Sequence, residues 1–276
     1  MTQTCLPAAI SPSLPNFTSE ITPMQNFVEK NSIVRKIWGK SDTVLFIFAG
    51  SAAEFALNKA VDWLYFTGRL PADPIGRLFS TVRYARTIIF ATKEKAEATI
   101  DNIRNIHTTV EQNRGAVIPD WAYRDVLFML IHYSIAAYEL LEKKLTPEEK
   151  EEVYNVFYRF GSRMGLKELP STYLQWLPVR EEHLQQDLQK SKYTEDLFKQ
   201  YKKHLGAIRF KVLLEGQKLV VPYRVKELLN FSDFSFLTPV VPIYKLSRLM
   251  RMDWLLKKFL LPSDYKDEIA ELDVKE

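Results

Sequence analysis

Four histidines, His107, His132, His183 and His204, are the side chains in this 276-residue chain best suited to bind a metal or move a proton near neutral pH. His183 and His204 stand among charged neighbours and read as exposed. His107 shares an apolar stripe with Ala96, Ile100, Ile103 and Val110, spaced three and four apart, while His132 sits inside the apolar run 126–137. A buried neutral imidazole needs a partner for each polar nitrogen or it costs stability. His107 and His132 are therefore either hydrogen-bonded core residues or ligands, and from position alone the core reading is the commoner one. Arg77 and Thr81 lie four residues apart just after a helix start, on one helix face. Taken alone, Arg77 suits a surface ion pair and Thr81 a bond to its own backbone.

Several other chemistries are excluded. The chain has no phosphate-binding Gly-Lys-Ser/Thr loop, dinucleotide glycine fingerprint, His-Glu-x-x-His zinc helix or Gly-x-Ser-x-Gly elbow. It has no Glu-x-x-His pair for a carboxylate di-iron bundle, and no Cys-x-x-Cys-His, so any haem would be held non-covalently.

The elements that must position these residues read as helices. Glycine is scarce, at nine, and Leu, Lys and Glu are abundant. A first helix is expected over about 23–38, and a second, capped by Ser41 or Asp42, through about 66. Asp73-Pro74 opens the next, Thr92 caps one over about 93–112, and 120–144 forms a buried helix. Thr146-Pro147-Glu148-Glu149 has the make-up of a capping box, with the helix ending near 161–165. Shorter helices are expected over 178–190, 194–206 and 222–229. Residues 210–214 and 218–221 offer a hairpin around Glu215-Gly216, although two isolated strands are marginal. An amphipathic helix over 242–261 combines Leu246, Leu249, Trp254 and Phe259 with several basic residues; such a helix packs on its own domain or rests on an anionic membrane surface. The expected organisation is a flexible tail, 1–20, one helical domain, 21–262, and a charged tail, 263–276.

Net charge is +4 with both signs mixed along the chain, which gives no reason to expect a nucleic-acid partner. The single cysteine, Cys5, rules out an internal disulfide and fits a reducing, cytoplasmic setting. No apolar stretch is long enough to span a bilayer; the nearest, 44–57, is interrupted by Glu54.

An ordered series of short segments adds a resemblance. Asp73-Pro74-Ile75-Gly76-Arg77-Leu78-Phe79-Ser80-Thr81 is followed by Phe90-Ala91-Thr92-Lys93, Ile103-Arg104-Asn105-Ile106-His107, Leu130-Ile131-His132-Tyr133, Leu145-Thr146-Pro147-Glu148 and Gly161-Ser162-Arg163-Met164-Gly165. In this order, over 38–205, the chain resembles the latex clearing protein and MpaB oxygenase family of haem-b oxygenases. The resemblance implies an all-α, single multi-helix domain with buried central helices around a haem b pocket. It also implies dioxygen as co-substrate and a hydrophobic small-molecule or polyisoprenoid-like substrate. His107 matches the axial iron ligand. Arg77, Thr81 and Arg104 match the haem surroundings, His132 lines the pocket, and Glu54 or Asp62 stands where a carboxylate base is expected. The sequence departs from the family at Ser80, where latex clearing proteins have lysine, and in lacking the family's upstream His-Pro pair. The alternative is a non-catalytic haem-binding or helical scaffold protein with the same fold.

Overall fold

The computed structural model describes residues 25–68 and 72–249. Among them are eleven helices and no strand: α1 (Ile33–Trp38), α2 (Ser41–Phe55), α3 (Val61–Phe66), α4 (Pro74–Phe90), α5 (Lys93–Arg114), α6 (Asp120–Leu141), α7 (Pro147–Met164), α8 (Tyr173–Gln186), α9 (Lys192–Val220), α10 (Tyr223–Leu229) and α11 (Val240–Leu249). The all-α expectation holds. The tails 1–20 and 263–276, and the part of the 242–261 helix beyond Leu249, lie outside the described residues.

Side-chain caps fix several starts. Asp73 Oδ1 accepts from the Gly76 amide at 2.8 Å, with Pro74 at the first position. Thr146 and Glu149 close both bonds of a capping box, at 3.2 and 3.0 Å. Ser32, rather than a residue near Pro23, caps α1, so that helix begins ten residues later than expected.

The central pair is α2 against α6, the most extensive contact in the fold, with α9, α7 and α1 packed around it. α6 is buried along most of its length, from Leu127 to Leu141, as its apolar sequence requires. α2 can approach it closely because position 50 is glycine. A Cβ there would fall 2.2 Å from Tyr133 Cε1, inside the ring.

Four expectations are corrected. The 41–66 helix is broken after Phe55, because the Asn58 side chain replaces helix bonding: its Oδ1 accepts from the Ala60 amide at 2.9 Å and its Nδ2 donates to Asp125 at 2.6 Å. Residues 210–214 and 218–221 are not a hairpin: 210–220 belong to α9, and Val221 caps its end. Glu215 and Lys218 bridge one helical turn at 2.7 Å, and Glu215 also holds the Phe236 amide. The end expected at 206 is only a kink. Gly206 takes φ 75°, which glycine adopts without strain, and the helix resumes beyond it. Finally, α8 starts at Tyr173, capped by Thr172, and carries Pro178 in its interior.

Candidate functional site

His107 lies on α5, where Glu111 and Arg114 follow it at helical spacing on the same side. The Tyr123 ring of α6 packs 5.2 Å from the imidazole, and the Tyr123 hydroxyl donates to Glu111 at 3.1 Å. The Nδ1 of His107 is buried and has no hydrogen-bond partner. Burial, and then the nearby positive charge of Arg77, push its pKa below the ordinary imidazole value; Glu111 opposes them, and the ring is neutral at pH 7. Arg77 lies on α4, near enough for its charge to act on the His107 ring. Two turns along α5, Arg114 pairs with Asp62 of α3 at 2.6 Å, with Trp63 stacked 3.9 Å below the guanidinium.

The other expected residues fall elsewhere. The Thr81 hydroxyl donates to the Arg77 carbonyl at 3.2 Å, the helix-internal bond. Arg104 is exposed and stands 3.9 Å from Asp101. Glu54 and His132 belong to a second, deeper cluster at the α2–α6 contact. Glu54, 1% exposed, receives the Arg180 guanidinium at 2.5 Å and the Tyr133 hydroxyl at 2.8 Å on the same oxygen, while Oε1 has no partner. Burial opposes the charge of Arg180, but Glu54 outweighs it and raises the guanidinium pKa. Burial and Arg180 depress the His132 pKa to about 4, against the pull of Glu54 and a bond to the Val220 carbonyl. The Nε2 of His132 is shut away from solvent with no partner, which leaves Nδ1 to donate to Val220.

Arg180 and His183, both on α8, were missed as site residues. His183 is not exposed among its charged neighbours. Its Nδ1 lies 2.5 Å from Asp125 of α6 and 3.2 Å from Asp187, and its ring meets Phe128 edge to face at 5.1 Å. The usable signal was positional: Trp176, Arg180 and Leu184 are spaced by four, so Arg180 sits in the apolar stripe of α8, with His183 and Asp187 beside it. His204 is exposed, as expected.

A haem ligand must present a neutral imidazole nitrogen without a competing hydrogen bond. His107 and His132 each do so, and the positive charge of Arg77 acts on the His107 ring. The residues present therefore fit an iron–imidazole group. No helix among the described residues is long and apolar enough to cross a membrane.

No characterised protein and no solved structure matched the chain in the comparisons made. A family model does: "ER-bound oxygenase mpaB/B'/Rubber oxygenase, catalytic domain", over residues 37–259. An oxygenase family of this kind suggests a metal or haem cofactor, dioxygen and a hydrophobic substrate. That match covers most of the chain, and the chain belongs to the mpaB/rubber oxygenase catalytic-domain family.

Proposed function

We propose that the protein is a haem-b-dependent oxygenase that uses dioxygen on a hydrophobic substrate, with His107 as the residue that would hold the iron. The observation that carries this is a single atom, the buried and unpartnered Nδ1 of a His107 ring kept neutral by its surroundings. A polar atom left unpaired in the interior costs about 1–3 kcal/mol, and ligation removes that cost. Haem, when bound, supplies the oxygen chemistry. The chain supplies position and charge. Arg77, whose charge acts on His107, and Arg104, three residues before it on α5, would meet propionate charges. As base, the Oε1 of Glu54 is the carboxylate oxygen without a partner, whereas Asp62 is tied to Arg114.

The test is the Soret band and iron content of purified protein reconstituted with haem. The parent takes up one haem, and His107→Ala loses it. An unchanged band and unchanged iron in His107→Ala would falsify the assignment. One observation favours a second reading: His132 donates one nitrogen to a backbone carbonyl and presents the other unpaired, the arrangement that orients ligating histidines. Loss of the band in His132→Ala alone moves the ligand there. A parent that binds haem but leaves hydrophobic olefins unoxidised in air is a non-catalytic haem protein, and one that never takes up haem is a helical scaffold.

A further inference from the structure

The cluster at the junction of α6 and α8 is used by none of the above. Nδ1 of His183, a carboxylate oxygen of Asp125 and one of Asp187 all lie within 4.8 Å of one another. His183 and Asp187 are four apart on α8, and Asp125 comes from the facing helix. We propose that Asp125, His183 and Asp187 form a binding site for a divalent transition-metal ion, independent of any haem. The first argument is geometric. Nitrogen and oxygen ligands sit about 2.0–2.2 Å from such an ion, which puts adjacent ligand atoms roughly 3.0–3.5 Å apart. The His183–Asp187 separation is already 3.2 Å, and the His183–Asp125 separation, 2.5 Å, needs to open by less than about 1 Å.

The second argument concerns protons and charge. One ring nitrogen carries at most one proton, yet two carboxylates face it. The Asp125 and Asp187 carboxylates also bring oxygens within 4.8 Å of each other. Arg180, the other cation near Asp125, is engaged by Glu54. A divalent ion in place of the shared proton relieves the crowding of the two carboxylates.

The surroundings act as supports for the ligands. Asn58 Nδ2 holds the outer oxygen of Asp125 at 2.6 Å, and Phe128 fixes the plane of the imidazole. The Lys59 amide donates to the Asp187 carbonyl at 2.9 Å, pinning the end of α8 to the loop that carries Asn58. His183 and Asp187 keep 11% and 16% side-chain exposure, so an ion has a way in, while Asp125 forms the floor at 3%. One imidazole and two carboxylates suit zinc, iron(II) or manganese(II) rather than calcium, and three protein ligands leave positions open for water or a ligand.

The experiment titrates Zn²⁺ into chelator-washed, haem-free full-length protein by calorimetry, in two buffers of different ionisation heat. The expected result is one ion per chain, and any proton displaced from the site appears as a buffer-dependent enthalpy. Affinity falls at least about tenfold in His183→Ala and in Asp187→Asn, and is unchanged in His204→Ala, which removes an exposed histidine. Asp187→Asn keeps the side-chain shape at a partly exposed position and decides the matter if His183→Ala does not fold. No saturable one-to-one binding, or equal affinity in parent and Asp187→Asn, overturns the proposal and leaves the cluster a hydrogen-bonded ion pair. Because the readout is zinc affinity, failure here leaves the haem reading untouched, and failure of haem uptake leaves this one untouched.

Discussion

Replacing Arg180 by methionine tests how the centre of the molecule is held. The Arg180 and Glu54 side chains are 5% and 1% exposed and meet at 2.5 Å, with the Tyr133 hydroxyl donating to the same carboxylate oxygen. The pair itself adds little net stability, because taking both charges out of water offsets most of their attraction. Removing one partner is different: Glu54 is left as a buried charge with a single neutral donor, and Asp125 loses a neighbouring cation. The expected loss is about 3–5 kcal/mol, a large share of the roughly 5–15 kcal/mol that holds a folded protein together. At about 2–4 °C per kcal/mol for a chain near this size, the midpoint of thermal unfolding drops by roughly 6–20 °C. Urea unfolding followed by circular dichroism measures the loss directly. The paired variant Glu54→Gln/Arg180→Met recovers most of it, since no unmatched charge remains. A loss under about 1 kcal/mol in Arg180→Met, or a paired variant no more stable than the single one, would show that Glu54 finds other compensation and refute the reasoning.

Two further outcomes follow from named contacts. His132 has a folded pKa of about 4, below the unfolded value of 6.5. The unfolded chain therefore takes up the proton first as pH falls, and the His132 contribution, fully present above pH 6.5, shrinks below it by about 2 kcal/mol at pH 5. His132→Phe flattens that part of the stability–pH curve measured by urea unfolding; an unchanged slope means the ring is already hydrated. Gly50→Ala lowers the melting temperature, because the new methyl meets the Tyr133 ring at 2.2 Å, at a cost of about 1–3 kcal/mol that outweighs the helix-propensity gain. Gly216→Ala, whose methyl would sit 3.6 Å from Phe46, raises it, and equal effects at the two positions would contradict the packing described.

The helices were legible in the sequence where their signals are local. Asp73, Thr92 and Thr146 are caps because each side chain reaches an amide three residues on, and that spacing can be read without a fold. Asn58 was not legible as a helix break, because half its reason lies 67 residues away at Asp125. Nor was 210–221 as helix, since Glu215-Gly216 looks like a turn until Glu215 is seen holding the loop at Ser235 and Phe236. At the candidate sites, the apolar stripe through His107 and the Arg-x-x-x-Thr spacing marked α5 and α4, and the charge of Arg77 acts on the His107 ring. Glu54 and His132 were singled out, but nothing in the sequence paired them with Arg180. A charged residue reads as exposed, and its burial depends on a counter-charge 126 positions earlier.

α6 carries one member of each polar cluster: Tyr123 against His107, Asp125 against His183, and His132 with Tyr133 beside Glu54. At 1.5 Å of rise per residue, the first and last of these lie only about 13–14 Å apart along a rod that cannot stretch. The helix therefore works as a ruler. It fixes the distances between three sets of groups whose other members stand on α2, α5 and α8. A core substitution that rotates or slides it, at Phe128 or Ile131 for instance, displaces all three together. Mutational damage along α6 is then a shared misalignment, and its signature is a simultaneous change at all three sites.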